Sequence, residues 1–368
     1  PVLMQPRAFS LFVVGLTLAL VAAAWALGWW LQPVYGDLTR LGGYAERDYG
    51  WNEPVSEFEP LPSSFGEWTQ PVDILVIGDS FANLRPAQQW QNHLVARTGW
   101  RVHTLDVHQV DVEALVASRR FVEHPPAVVV WNVVERNLAD DHATYARTCG
   151  AVGTGLPVAL PAPMAVEASA HPVSRPHALF DVNPGFARTW LHRAAMRTLF
   201  EAQAGNTVRV ELAREDLFSS REAGTLLVYA DDFRKAGWSD EHLRRIRCAL
   251  SELATHFQAN GRTAFVSALA PDKSSAYRAW ARDPARLPPE RLGALLDDLA
   301  VPDVRLDLAV RDAVASGMTD VYMPNDTHWS TAGHAVAAQA IMERLLELRD
   351  PTADLTAPPA VARAAAAK

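Results

Sequence analysis

A serine, a histidine and an aspartate in this chain have the types and neighbours that nucleophilic catalysis requires. Ser80 closes the run "VIGDS", in which an aliphatic stretch ends on a Gly-Asp-Ser turn. His328 lies in "NDTHWS", with Asp326 two residues ahead of it. A serine hydroxyl is a poor nucleophile until a base takes its proton, and histidine is the usual base near neutral pH. An aspartate two residues before that histidine can hold one ring nitrogen in an extended turn and leave the other free to face the serine. Gly-Asp-Ser taken alone reads as a turn, and Asp-x-His taken alone as loop polars in a chain with 12 histidines. Placed together at strand-to-helix edges, they form a candidate nucleophile, base and orienting acid. A metal centre is the alternative, with Asp326 and His328 joined by Asp106 and His108 from another strand end, although no His-Glu-x-x-His motif is present.

The elements around them must bring distant residues together. "VDILVIG", Val72 to Gly78, is an apolar run that ends in glycine, as a strand buried on both faces does. A helix is expected over Pro86 to Arg97, a strand over Arg101 to Val107, a helix over Val112 to Val122 and a strand over Ala127 to Val134. This alternation predicts a parallel sheet with helices on both faces, hence an α/β fold. Such a sheet puts Ser80 at its C-terminal edge, where backbone N–H groups can meet a carbonyl oxygen. Residues from about 140 to 225 break the rhythm and read as an insertion. They hold a Gly/Pro loop, a helix over Phe186 to Ala202, and strands over Asn206 to Ala213 and Thr225 to Ala230. The alternation then resumes. A helix from Asp240, with that aspartate as its cap, runs to Ala259. A strand "TAFVSALAP", a helix over Pro289 to Leu299, a short strand "DVRLDL" and a final helix over Thr331 to Leu348 follow. The last residues, 350–368, read as a disordered tail.

The N-terminal stretch Phe9 to Leu31 carries no charge. As a helix it would be about 34 Å long, enough to cross a bilayer core. Trp25, Trp29 and Trp30 sit toward the end where indoles favour headgroups, and Arg7 ahead of the run points to a cytoplasmic N-terminus. A cleaved signal with a cut at Ala22 to Ala24 and a buried soluble helix are the competing readings. Residues 1–31 are thus expected to be a transmembrane anchor, 32–70 a juxtamembrane connector and 71–349 the catalytic domain. Tyr44, Tyr49 and Trp51 in the connector fit a membrane surface or partner and the globular body equally well. The net charge of -8, without a basic tract, argues against a nucleic-acid partner. Hydrophobic residues at 49% and charged residues at 21% indicate a globular bulk. Cys149 and Cys248 fit no zinc or redox spacing; two buried thiols are expected, and a disulfide is the alternative in an oxidising compartment.

With these residues in hand, the sequence resembles the SGNH/GDSL hydrolase superfamily through Gly78-Asp79-Ser80 and Asp326-x-His328. "GDSF", "DTHW" and "PDKSSAY" (Pro271 to Tyr277) together look like the SGNH-type O-acetyltransferases of exopolysaccharide systems, the AlgJ/AlgX-like proteins of alginate and cellulose acetylation. "DLTRLGGYAERDYGW" and "WNVVER" are also similar to that group, so the likeness covers roughly residues 36 to 345. The resemblance implies an SGNH-hydrolase-like α/β sheet, with an inserted segment and a transmembrane helix. It also implies an anchored enzyme whose catalytic domain lies in the bacterial periplasm and which transfers acetyl through an acetyl-serine. Ser80 would be the nucleophile, His328 the base and Asp326 the orienting acid. The implied partner is a multi-spanning membrane-bound O-acyltransferase, which uses acetyl-CoA on the cytoplasmic side, and the acceptor is an exopolysaccharide. The chain itself would then need no cofactor and no metal. Asn132 is a candidate oxyanion donor and Arg136 a candidate substrate contact. Trp131, Trp329 and Tyr277 are candidate platforms for sugar rings, with core packing as the alternative for each. In the alginate proteins the Asp-x-His motif precedes the serine, whereas here it follows, as in ordinary SGNH hydrolases, and the glycine and asparagine blocks of SGNH esterases are not clear. A carbohydrate acetylesterase using water as acceptor and a non-catalytic glycan-binding scaffold are the rival functions.

Overall fold

The computed structural model describes residues 6–31, 36–51, 55–141, 155–173, 183–200 and 205–349. Cys149, the expected tail and part of the expected insertion lie outside the described residues. In chain order the helices are α1 (Pro6–Leu31), α2 (Asp37–Gly42), α3 (Glu46–Tyr49), α4 (Ser80–Asn83), α5 (Trp90–Thr98), α6 (Val112–Ala117), α7 (Arg119–Glu123), α8 (Leu138–Asp141), α9 (Pro184–Phe200), α10 (Asp240–Gln258), α11 (Lys273–Ala276), α12 (Leu292–Asp297), α13 (Leu306–Ala315) and α14 (Thr331–Arg349). The strands are β1 (Val55–Phe58), β2 (Ser64–Phe65), β3 (Ile74–Gly78), β4 (Val102–Asp106), β5 (Val128–Asn132), β6 (Ala170–Val173), β7 (Thr207–Glu211), β8 (Thr225–Tyr229) and β9 (Ala264–Ser267).

The aliphatic runs become the centre of a five-stranded parallel sheet in the order β2-β4-β3-β5-β9. Every residue of β3 and β5 is buried, which is why these strands read as continuous apolar runs rather than alternating ones. Alternation is present in space instead. Ile74 and Val76 enter one core cluster with α5, α13 and α14, while Leu75 and Ile77 enter another with α6, α7, α10 and α12. Helices therefore cover both faces of the sheet, as the alternating pattern predicts.

Some expected boundaries change for local reasons. The helix expected over Val112 to Val122 is two helices, because Ser118 leaves the helical conformation and caps the second by accepting from the Phe121 N–H. The cap of α10 is Ser239 rather than Asp240, in a reciprocal box with His242. "DVRLDL" makes a single bridge from Asp303 to Ser267 and then turns into α13. Leu306, Val310 and Val314 lie one helical turn apart and are all buried, so the helical period wins over the short alternation. Within the expected insertion, β7 and β8 form their own antiparallel pair and β6 pairs with β1. The connector packs on the body: Tyr44 and Tyr49 are buried with Leu38 and Leu227. Cys248 is disulfide-bonded, which corrects the expectation of a free thiol.

α1 is 26 residues long, and it is the one helix among the described residues long and apolar enough to cross a membrane or serve as a signal sequence. Its C-terminal end packs against α9 through Leu27, Leu31, Phe186 and Ala187.

A buried charge network ties the sheet edge together. Lys235 Nζ donates to Glu135 at 2.9 Å and to Asp272 at 2.8 Å, and Arg136 reaches Asp272 at 2.9 Å. Burial opposes the charge of Asp272, yet Lys235 and Arg136 hold its carboxyl below the ordinary value. Removing one member of such a set strands its partners as buried charges. Lys235→Met is expected to lower the unfolding free energy by about 3–5 kcal/mol in urea denaturation. A loss under about 1 kcal/mol would show that the network contributes little.

Candidate active site

Parallel strands place their C-terminal ends at one edge, and the chemistry gathers there. β3 ends at Gly78, where an added Cβ would meet the Asn132 carbonyl and Ala82, so only glycine admits this approach of β5 and α4. Asp79 follows and caps α4. Its carboxylate accepts from the Phe81 N–H at 3.0 Å and from the Val134 N–H at 2.8 Å, which locks the serine turn to the end of β5. Burial pushes the Asp79 carboxyl up, opposed by these two bonds and by Arg136. Ser80 is the first residue of α4, so its own N–H has no partner within that helix.

The Asp-x-His loop arrives just before α14. His328 Nε2 lies 2.8 Å from Ser80 Oγ, and His328 Nδ1 lies 2.6 Å from Asp326 Oδ1. The Asp326 carboxylate also accepts from the His328 backbone N–H at 3.0 Å and from Arg85 at 3.3 Å. Burial works against its charge, but the bond and charge of His328 and the charge of Arg85 overcome this and hold the carboxyl well below the usual range. Asp326 is thus an anion that accepts at Nδ1, which leaves Nε2 as the atom facing the hydroxyl.

Two further elements hold this loop. Lys273, at the start of α11, is fully buried and donates to the carbonyl oxygens of Met323 at 2.7 Å, Pro324 at 3.0 Å and Asp326 at 3.1 Å. From the other side, the Leu38 and Thr39 N–H groups both donate to the Asn325 carbonyl, and the Asn325 amide donates to Glu46 at 2.7 Å. Asp37 accepts from the Thr327 N–H at 2.9 Å. Gly36 lies so close that a Cβ would fall on the Asn325 carbonyl. Burial raises the carboxyls of Asp37, to about 6, and Glu46, to about 7, and lowers the Lys273 ammonium to about 7.

The structure brings Ser80, His328 and Asp326 together and keeps the other candidates apart from the cleft. Asn132 is fully buried, with its amide donating to the Ala268 carbonyl and its oxygen accepting from Trp90, so it presents no donor to a substrate. Arg136 is 8% exposed, paired with Asp272, and lies 5.7 Å from the Phe81 ring centre. Trp131, Trp329 and Tyr277 are each at most 1% exposed, which leaves no ring face for a sugar and settles them as core. Trp329 packs edge-on against Phe81, whose ring also touches His328, so it supports the site from below. Asp37, Arg85, Asn325 and Lys273 were not singled out from the sequence. Asp37, Asn325 and Lys273 sat inside quoted motifs, "DLTRLGGYAERDYGW", "NDTHWS" and "PDKSSAY", whereas Arg85 sat in none.

The one group with metal-ligand spacing among the described residues is Asp37, Asp326 and His328, with ligand atoms within 4.8 Å of one another. Asp106 and His108 are not part of it. A hydrogen bond already joins His328 Nδ1 to Asp326 Oδ1, and an ion would have to displace it, so the set fits a held proton better than a cation. Beside the serine turn, a cleft of about 740 Å³ is lined by Asn83, Asp106, Gln109, Asp111 and the half-buried Trp68.

Comparison with known families bears on the C-terminal part of the chain. Residues 226–367 match the family model for the SGNH hydrolase-like domain of the acetyltransferase AlgX. Over that stretch, less than half of the chain, the sequence is similar to the SGNH hydrolase-like acetyltransferase domain. No curated protein matches it. His328, Asp326 and Lys273 fall inside the matched stretch of the SGNH-like domain; Ser80 and Asp37 fall outside it.

Proposed function

We propose that this chain is a membrane-anchored O-acetyltransferase that moves acetyl onto polysaccharide hydroxyls through an acetyl-Ser80 intermediate. The observation that carries the reading is the continuous hydrogen-bond line from Ser80 Oγ through His328 to Asp326. His328 Nε2 takes the Ser80 proton as Oγ attacks the donor's acetyl carbonyl. The tetrahedral oxyanion forms beside the Ser80 N–H, at the N-terminal end of α4, and collapses with loss of the donor, to which His328 returns the proton. A sugar hydroxyl then gives its proton to His328 and attacks the acyl-serine; the bond to Ser80 Oγ breaks, His328 returns the proton to Ser80, and the sugar leaves as the acetyl ester. The cleft past Asn83, with Trp68 and the side chains of Asp106 and Gln109, offers this acceptor an aromatic face and hydroxyl-binding groups.

Three observations support placing this chemistry outside the cytoplasm beside a membrane partner. α1 is long and apolar enough to anchor the chain. Cys248 is disulfide-bonded, as suits an oxidising compartment such as the periplasm. The segment after α1 packs onto the site loop, so the site stands close to the anchor and to a multi-spanning membrane-bound O-acyltransferase that would hand over acetyl drawn from acetyl-CoA. Hydrolysis is the same reaction with water as acceptor.

The test is mass spectrometry of the full chain after incubation with an activated acetyl ester, followed by addition of candidate glycans. An acetyl group on the Ser80 peptide that moves to a glycan supports transfer; release only as acetate points to an esterase, and an unmodified Ser80 refutes the reading. Deleting residues 6–31 is expected to leave hydrolysis of a small activated ester within about 2-fold while polymer acetylation in cells falls by more than about 10-fold. Unchanged polymer acetylation would remove the membrane partner from the proposal.

A further inference from the structure

Asp37 belongs to the segment directly after α1, yet it stands at the imidazole of His328. Its Oδ2 lies 4.0 Å from His328 Nδ1, on the same nitrogen that Asp326 holds. Its Oδ1 accepts from the N–H of Thr327, the residue between Asp326 and His328. The neighbouring Leu38 and Thr39 N–H groups grip the Asn325 carbonyl, and Thr207 on β7 fastens the strap from behind by donating to the Leu38 carbonyl at 2.9 Å. A carboxylate bound only to hold a loop could be replaced by any acceptor. This one also brings a second negative charge to the ring that becomes cationic during both half-reactions.

We infer that Asp37 is a second positioning carboxylate for His328, supplied by the anchor-proximal strap, which fixes the loop through Thr327 and favours the imidazolium through its charge. The inference rests on the reading of His328 as the base for Ser80. The charged and titratable groups that face Asp37 are Asp326 and His328 from the loop, Arg136 from the end of β5, Lys273 from α11 and Tyr229 from β8. Asp326 opposes its ionisation, and His328 and Arg136 favour it. Burial, the largest influence, pushes its carboxyl up to about 6, so its charge is present at neutral pH and fades as the pH falls through that value.

The strap also sets the chemistry close to the end of α1. Asp37 follows Leu31, the last residue of α1, by six positions, a span of at most about 21 Å. The end of the apolar helix and the base of the reaction are therefore linked by a short tether, and the part of the chain nearest the membrane completes the site.

The experiment uses the full chain in detergent and an activated acetyl ester, comparing wild type, Ser80→Ala and Asp37→Asn. Asparagine keeps an oxygen that can accept from Thr327 and removes the charge. The inference expects Asp37→Asn to lower kcat/KM at pH 7.5 by roughly 10-fold. It also expects the acidic limb of the kcat/KM profile to move to lower pH by about one unit, because loss of an anion disfavours the imidazolium. Asp37→Ser, which also keeps an acceptor without charge, is expected to behave alike and guards against a folding defect in one variant. A purely structural strap would lower the rate across the whole profile without moving the limb, and that result, or unchanged kinetics in a folded variant, overturns the inference. Wild-type activity in Ser80→Ala would instead overturn the reading beneath it, so the two failures are told apart.

Discussion

Asp326→Asn is expected to lower kcat for acetyl transfer by up to about 10⁴-fold while the protein still folds and binds acceptor. The wild-type carboxylate accepts the Nδ1 proton at 2.6 Å, and Arg85 and the His328 backbone N–H keep it anionic. An asparagine can turn its amide N–H toward Nδ1. The ring proton then moves to Nε2, the atom that receives the proton of Ser80 in the proposed mechanism, and the base is blocked. Ser80→Ala, which removes the proposed acceptor of acetyl, sets the floor of the same assay. Single-turnover transfer from an activated ester would separate the step from product release. An asparagine variant within about 10-fold of wild type would mean that His328 is not acting as the base. The packing around the loop predicts that this loss is kinetic: the Lys273 bonds and the Asp37 clamp remain, so the melting temperature should fall by only a few degrees.

The sheet was legible because its central strands are buried on both faces and the code for that is crude. Ile74 to Ile77 and Val128 to Trp131 need only be apolar, and a run of apolar residues ending in Gly78 or Asn132 announces itself. Ser80, Asp326 and His328 were legible for a different reason. The hydrogen bonds within the Asp-x-His turn are local, and the serine sits where a parallel strand must end. What joins them is long-range, and only the edge rule of parallel sheets made the meeting foreseeable.

The supporting residues were illegible because nothing local marks them. Asp37 opens "DLTRLGGYAERDYGW", a stretch quoted for its family likeness, but nothing in that stretch assigns the acid a partner, and Thr327 is 290 positions away. Tyr277, Trp131 and Trp329 stayed open between sugar platform and core in sequence, because an aromatic near a motif looks the same whether its ring faces solvent or the core. Burial decided against all of them. Asn132 looked like a donor at a strand end, but Trp90 and the Ala268 carbonyl use both ends of its amide. The amphipathic face of α13 could have been found: Leu306, Val310 and Val314 repeat at helical spacing, and the two-residue alternation of "DVRLDL" hid it.

Lys273→Met carries the second large expectation, and it acts on stability and rate together. The wild-type ammonium donates to three backbone carbonyls at the turn that carries Asp326 and His328. Methionine fills similar volume and offers no donor, so buried acceptors lose their partner, at a cost of about 3 kcal/mol. Freed of that clamp, the loop can drift, and displacement of the base by about 1 Å is enough to cost on the order of 10²-fold in kcat. The pH dependence identifies the residue. Burial lowers the Lys273 ammonium in the folded protein from its ordinary value near 10.5 to about 7. Between these values the unfolded chain binds a proton that the folded chain has released, so the wild-type unfolding free energy should rise with pH. The slope for one proton is roughly 1.4 kcal/mol per pH unit, and the penalty is fully present only below about pH 7. Urea denaturation at intervals from pH 7 to 10 measures it. The methionine variant should be less stable at every pH in that window and should lose the Lys273 contribution to the slope. If its stability rises with pH as steeply as wild type, the proton belongs to another group and Lys273 stays an ammonium in the folded protein, with its three N–H donors on the three carbonyls.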